Sequence, residues 1–197
     1  MIVLDVETTG LDPRSGSIVS LGALVLEAPN TRFYEECCVW DGAVIEEEAL
    51  AVNGFTRAQV TSSNRMTEEE LVQKFVSWVK EHVEDYTLAA QNVSFDLEFV
   101  QQACARAGIA CPFGKRSVDV HSLVWMHMQS RGVPLPLLRN RSALSLDAEL
   151  AYCGLPKEEH PHNALTGALC HAEVLARVTY TKSIVAEFSS FPIPDWN

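Results

Sequence analysis

The apolar positions of this chain start in strand spacing and finish in helix spacing. Residues 1–6 form a short apolar run broken only by Asp5, the pattern of a buried strand, and Thr8, Thr9, Gly10, Asp12 and Pro13 behind it supply turn chemistry. Residues 17–27 and 31–40 read as two further strands about a Pro29-Asn30 turn, so the opening stretch predicts an antiparallel meander. Helical spacing follows at 46–52 and 67–82. Thr67 and Glu70 stand at capping-box spacing, where each side chain satisfies an unpaired backbone donor of the first turn. Leu71, Phe75, Trp78 and Val79 then recur on one face as a core stripe. Residues 87–90 predict a short buried strand, 94–107 a helix closed by Gly108, 117–120 a last strand, and 121–129, 146–152 and 163–184 helices. Strands first, then strands alternating with helices, predict an α/β fold: a mixed sheet with helices packed against it.

Composition narrows the class. The 197 residues are 47% hydrophobic and 21% charged, which fits one folded domain and excludes disordered or fibrous classes. We read residues 1–185 as that domain and 186–197 as a tail. Pro192, Pro194 and Trp196 mark a segment that packs along the surface, frays, or docks a partner. No apolar run reaches the roughly 20 residues needed to span a bilayer, so no membrane contact is expected. The first residues lead straight into an acidic motif without a basic flank, which predicts no signal peptide and a cytoplasmic protein. Cys37, Cys38, Cys104, Cys111, Cys153 and Cys170 lack paired zinc-type spacing and are expected as reduced, mostly buried residues.

The net charge of -11 argues against gripping nucleic acid by bulk electrostatics. It is uneven, however: between residues 115 and 141, Lys115, Arg116, Arg131, Arg139 and Arg141 face only Asp119. That segment is either a solvated loop or a local phosphate-contacting arm.

Three separated groups could do chemistry. Asp5 and Glu7 are two apart on a strand and leave the same face, so their carboxylates repel until a cation or shared proton joins them. Asn92, Ser94, Phe95 and Asp96 sit where a strand hands over to a helix; there Asp96 is tolerated by the helix dipole, or the group is ordinary capping. His162 lies in a loop before the last helix and can act as a general base near neutral pH.

Together these segments resemble the DnaQ-like 3'-5' exonucleases of the DEDDh type. Asp5-Val6-Glu7-Thr8-Thr9-Gly10 looks like their first motif and Asn92-Val93-Ser94-Phe95-Asp96 like their second. The likeness continues through residues 49–55, 117–119, 145–147 and 162–165. It implies an RNase H-like fold with a five-stranded mixed sheet, and two divalent metal ions, Mg2+ or Mn2+, about 4 Å apart. On that resemblance Asp5 bridges both metals, Glu7 helps hold the first, Asp96 supports the second, and His162 deprotonates water. Thr8, Thr9, Gly10, Asn92 and Phe95 lie near the terminal nucleotide of a single-stranded DNA or RNA 3' end. A polymerase or another protein is an expected partner.

Two positions depart from the pattern. Gln91 stands where the family often has histidine, a change expected to be tolerated. Gly167 stands five residues after His162, where the family has the fourth aspartate. Glu173 is six residues on, about 240° around an ideal helix, and is expected to face away; His171, one turn on, is a weak substitute. The sequence therefore leaves two readings open: an exonuclease impaired by Gly167, or an inactive nucleic-acid-binding module that keeps the fold.

Overall fold

The computed structural model describes residues 1–196. A central sheet is built from β1 (Ile2–Thr8), β2 (Ile18–Val25), β3 (Ala28–Cys38), β4 (Met66–Thr67), β5 (Leu88–Ala90) and β6 (Ser117–Asp119) in the order β4-β3-β2-β1-β5-β6. β1, β2 and β3 form the antiparallel meander; β5 and β6 join parallel to β1, and β4 joins parallel to β3. The sheet thus has six strands rather than the expected five, because the two residues of β4 continue the edge beside Cys37 and Cys38. A pairing so short carries no periodic signal.

The turn between β2 and β3 also differs from expectation. Val25 pairs with Ala28, and the register jumps to Leu24 opposite Arg32, so Pro29 and Asn30 lie in a bulge within β3 rather than at the turn. Proline has no amide to donate to a ladder, and a bulge accommodates that loss.

Alternation along β1 divides the core. Ile2, Leu4 and Val6 pack with Phe75 and Val79 of α3 (Glu68–His82) and with Phe99 and Val100 of α4 (Val93–Arg106). Val3 faces the opposite layer, with Val120 and Val124 of α5 (Val120–Ser130), Leu150 of α6 (Leu146–Tyr152) and Ala168 of α7 (Ala164–Tyr180). Thr67 and Glu70 form the expected reciprocal capping box of α3. A short α1 (Glu47–Asn53) and a one-turn α2 (Arg57–Val60) link the meander to β4. The basic segment is not simply a loop: β7 (Leu137–Leu138) and β8 (Arg141–Ser142) form a hairpin, with Arg139 and Asn140 at φ 50° and 62° in its turn. Among the described residues, no helix is long and apolar enough to cross a membrane. All six cysteines are free, and only Cys38 and Cys111 are partly exposed.

α7 ends at Tyr180, short of the expected 184, because Thr181 turns to φ 52°. The chain beyond it is stapled back. Glu173 and Arg177 are both fully buried and paired at 2.7 Å; Glu173 Oε2 accepts the amides of Ile184 and Val185. Arg177 donates to the carbonyls of Cys153, Phe188, Phe191 and Pro192. Trp196 stacks on Tyr152 and meets His127 edge-on, and its carbonyl accepts from Arg131. The tail therefore packs on the domain through residue 196.

Breaking a buried pair strands the surviving charge, at a cost of about 3–5 kcal/mol. Arg177→Met is expected to lower the unfolding free energy by about that amount, read by urea denaturation.

Candidate active site

α7 meets the sheet at two glycines. Gly22 pairs with Asp5 across β1 and β2, and a β-carbon there would overlap the backbone of Ala164 and Leu165. One turn into the helix, a β-carbon on Gly167 would lie 2.8 Å from Asp5 Cγ. Glycine inside a helix costs about 1 kcal/mol relative to alanine. Standing α7 off by even ~100 Å² of apolar contact would cost about 2.5 kcal/mol, so the close approach wins. In this chain the Asp5 carboxylate occupies the space that a side chain at 167 would need.

That approach brings the distant motifs together. Asp5, Glu7, Asn92, Phe95, Asp96 and His162 line one cavity of about 250 Å³, joined by Val6, Gln91, Leu146, Glu158 and His171. Among the described residues, no Lys or Arg lines it. Asp96 is buried in the first turn of α4, and its Oδ1 accepts the Val6 amide, tying that turn to β1. Asn92 makes no side-chain cap; it adopts φ 57°, and its amide is held by Asp119 Oδ1 at 3.3 Å. Thr8 and Thr9 stand apart from this wall. Thr8 Oγ1 donates to the Gly10 carbonyl, and the fully buried Thr9 donates to Val44 while accepting from the Ser17 amide. Gly10 packs against the Glu46 side chain.

The charge is uncompensated. Burial, followed by Asp96, Glu7 and Glu158, holds Asp5 well above the carboxylate range. Asp96 is also raised by burial, although the Val6 hydrogen bond opposes the shift. Glu7 is pushed up to about 7 by burial and then Glu158; Glu158 reaches about 7 through burial and Asp147. His162 is lowered by burial and by His160, so it is neutral at physiological pH and can take a proton. His171 is pushed down to about 4 by burial; its Nδ1–H donates to the Leu4 carbonyl at 3.1 Å, leaving Nε2 as an acceptor.

One of these groups escaped the sequence reading. His171, one turn after Gly167, entered it only as a weak substitute, and the structure places it at the cavity. Glu158, four before His162, left no signal, because loop acids are common and usually solvated. Its side chain is only 7% exposed.

Residues 2–175 match the family model RNase_T, described as exonuclease. The chain belongs to this exonuclease family. Within it, the DNA polymerase III PolC-type of Thermotoga maritima is 26% identical over 89% of this chain but only 12% of its own length. Ribonuclease T of Citrobacter koseri is 24% identical over 55% of each. The chain thus spans about an eighth of the polymerase and half of the ribonuclease. The DEDDh nuclease domain of 3'hExo, solved bound to rAMP, superposes with a TM-score of 0.70 over 98% of this chain and 95% of its own, at 17% identity. E. coli Exonuclease I, solved with a 5cy-dT13 oligonucleotide, gives 0.69 over 91% of this chain and 41% of its own, at 15% identity. The fold is RNase H-like, as expected.

DEDDh exonucleases generally use divalent metals, and the hard oxygen donors of this cavity suit such ions. Among the described residues, no three His, Cys, Asp or Glu side chains converge as a finished metal cage. The carboxylate oxygens at this cavity suit a divalent ion by chemistry, and Asp5, Glu7 and Asp96 are the residues that would hold it.

An acid whose pKa is higher in the fold than in the unfolded chain binds more protons when folded, so stability falls as pH rises between the two values. For Glu7 that window runs from its ordinary 4.5 to about 7. Without divalent cations, the chain is expected to lose on the order of 1–3 kcal/mol across it from Glu7. Glu7→Gln is expected to flatten the loss, measured by urea denaturation at several pH values in a chelating buffer.

Proposed function

We propose that this chain is a metal-dependent exonuclease that removes nucleotides from the 3' end of single-stranded nucleic acid. The observation that carries the reading is the convergence of Asp5, Glu7, Asp96 and His162, drawn from three distant segments, on one cavity with no cationic side chain. Two divalent ions, Mg2+ or Mn2+, would lower the pKa of the attacking water and neutralise charge on the leaving oxygen. Neutral His162, with about a third of its side chain exposed, accepts the proton. Asn92 and Phe95 form the cavity wall against which the terminal nucleotide rests. The oligonucleotide bound to Exonuclease I supports a single strand as substrate, and the PolC-type relatives support a polymerase as partner.

Gly167 favours a second reading, because it leaves the site without the family's fourth aspartate: a binding module with slow or absent turnover. Incubating a 3'-labelled single strand, DNA or RNA, with Mg2+ or Mn2+ separates the two. The first reading expects metal-dependent release of mononucleotides that falls at least about 100-fold in Asp5→Ala. Binding without any shortening in either metal would favour the module.

The exposed β7–β8 hairpin carries Arg139 and Arg141 and leads directly into Leu146 at the cavity. Placed there, the two arginines can contact phosphates on an otherwise acidic protein. Arg139→Ala and Arg141→Ala are each expected to weaken single-strand binding and to reduce the slope of log affinity against log salt by about 1.

A further inference from the structure

The family's fourth acid is missing from α7, yet the cavity contains four carboxylates. Asp5, Glu7 and Asp96 are three of them; the fourth is Glu158, on the loop between α6 and α7. Both ends of this loop are tied down. Lys157 pairs with Asp147 at 3.3 Å, and the His162 amide donates to the Val52 carbonyl at 3.1 Å. Between those ties, the Glu158 side chain is 7% exposed, lines the cavity, and has no hydrogen bond to its carboxylate among the described residues. Its nearest ring nitrogen, His162 Nδ1, lies 3.7 Å away, beyond hydrogen-bond reach. A carboxylate this enclosed without a donor is normally paired or coordinated.

The space at 167 supports the same assignment. A side chain there would collide with Asp5, so a carboxylate cannot enter from α7 while Asp5 keeps its place. Glu158 enters from the loop instead. His171 also reaches the cavity, but its neutral imidazole cannot replace a missing negative charge.

We infer that Glu158 supplies the fourth carboxylate of the metal site, replacing from the loop the acid that Gly167 removes from the helix. The inference rests on the metal-dependent reading above and makes this chain a rearranged site rather than a broken one.

Mn2+ titration calorimetry on the full chain at about pH 7.5 tests it without relying on turnover. Glu158→Gln and Glu158→Ala are expected to lose one binding event or at least about tenfold in affinity, while Glu159→Gln, one residue along, binds as wild type. Thermal melts without metal are expected to show both Glu158 variants folded and no less stable, since a repelling charge has been removed. Wild-type Mn2+ affinity and stoichiometry in both Glu158 variants, alongside loss in Asp5→Asn, would overturn the assignment and leave the exonuclease reading standing. A shifted pH profile of hydrolysis with unchanged Mn2+ binding would likewise overturn it, making Glu158 a positioning residue for His162. Absence of Mn2+ binding in the wild-type chain would sink both.

Discussion

The close seating of α7 on β1 and β2 is the constraint on which the rest of the molecule depends. It is possible because Gly22 and Gly167 present no β-carbon where helix and sheet meet. From that seat, Asn163 caps the helix by accepting the Leu165 and Thr166 amides, and His162 just before it is carried to the cavity. His171 reaches the Leu4 carbonyl, and the Glu173–Arg177 pair is buried deeply enough to gather the tail. A helix standing further off would lose the His171 contact to β1 and carry His162 away from the cavity.

The same seating gathers four carboxyl groups at a cavity that no Lys or Arg among the described residues lines. Asp5, Glu7, Asp96 and Glu158 all sit above their ordinary pKa range, burial being the first cause for each. Such an arrangement is tolerated because the two largely apolar layers on either side of the sheet can bear a local penalty. Stability and chemistry pull in opposite directions at this cavity, as sequence rules broken at functional sites commonly indicate.

Much of this was legible in the sequence. The period-two alternation of β1 placed Asp5 and Glu7 on one face, and the strand-to-helix handover placed Asp96 in its turn. The reach of both motifs toward His162 came from family resemblance, since spacing alone cannot bring residue 162 beside residue 5. Other features left no trace. β4 is a two-residue pairing made by tertiary context, and the β7–β8 hairpin is an equally short, exposed pairing whose Arg139-Asn140 turn lacks glycine. Glu173 and Arg177 are spaced like a solvent-exposed helix pair, and only packing reveals that both are fully buried. Glu158 reads as one more acid in a charged loop until the cavity encloses it.

Asn163 has a second partner besides the helix it starts. Its Nδ2 donates to Tyr34 Oη at 2.9 Å, and that hydroxyl donates to Glu36, itself 2.9 Å from Arg65. The start of α7 is therefore wired to the outer strand of the meander. Exchanging any one of positions 34, 36, 65 and 163 breaks a run of contacts that reaches from the outer strand to the residue beside His162.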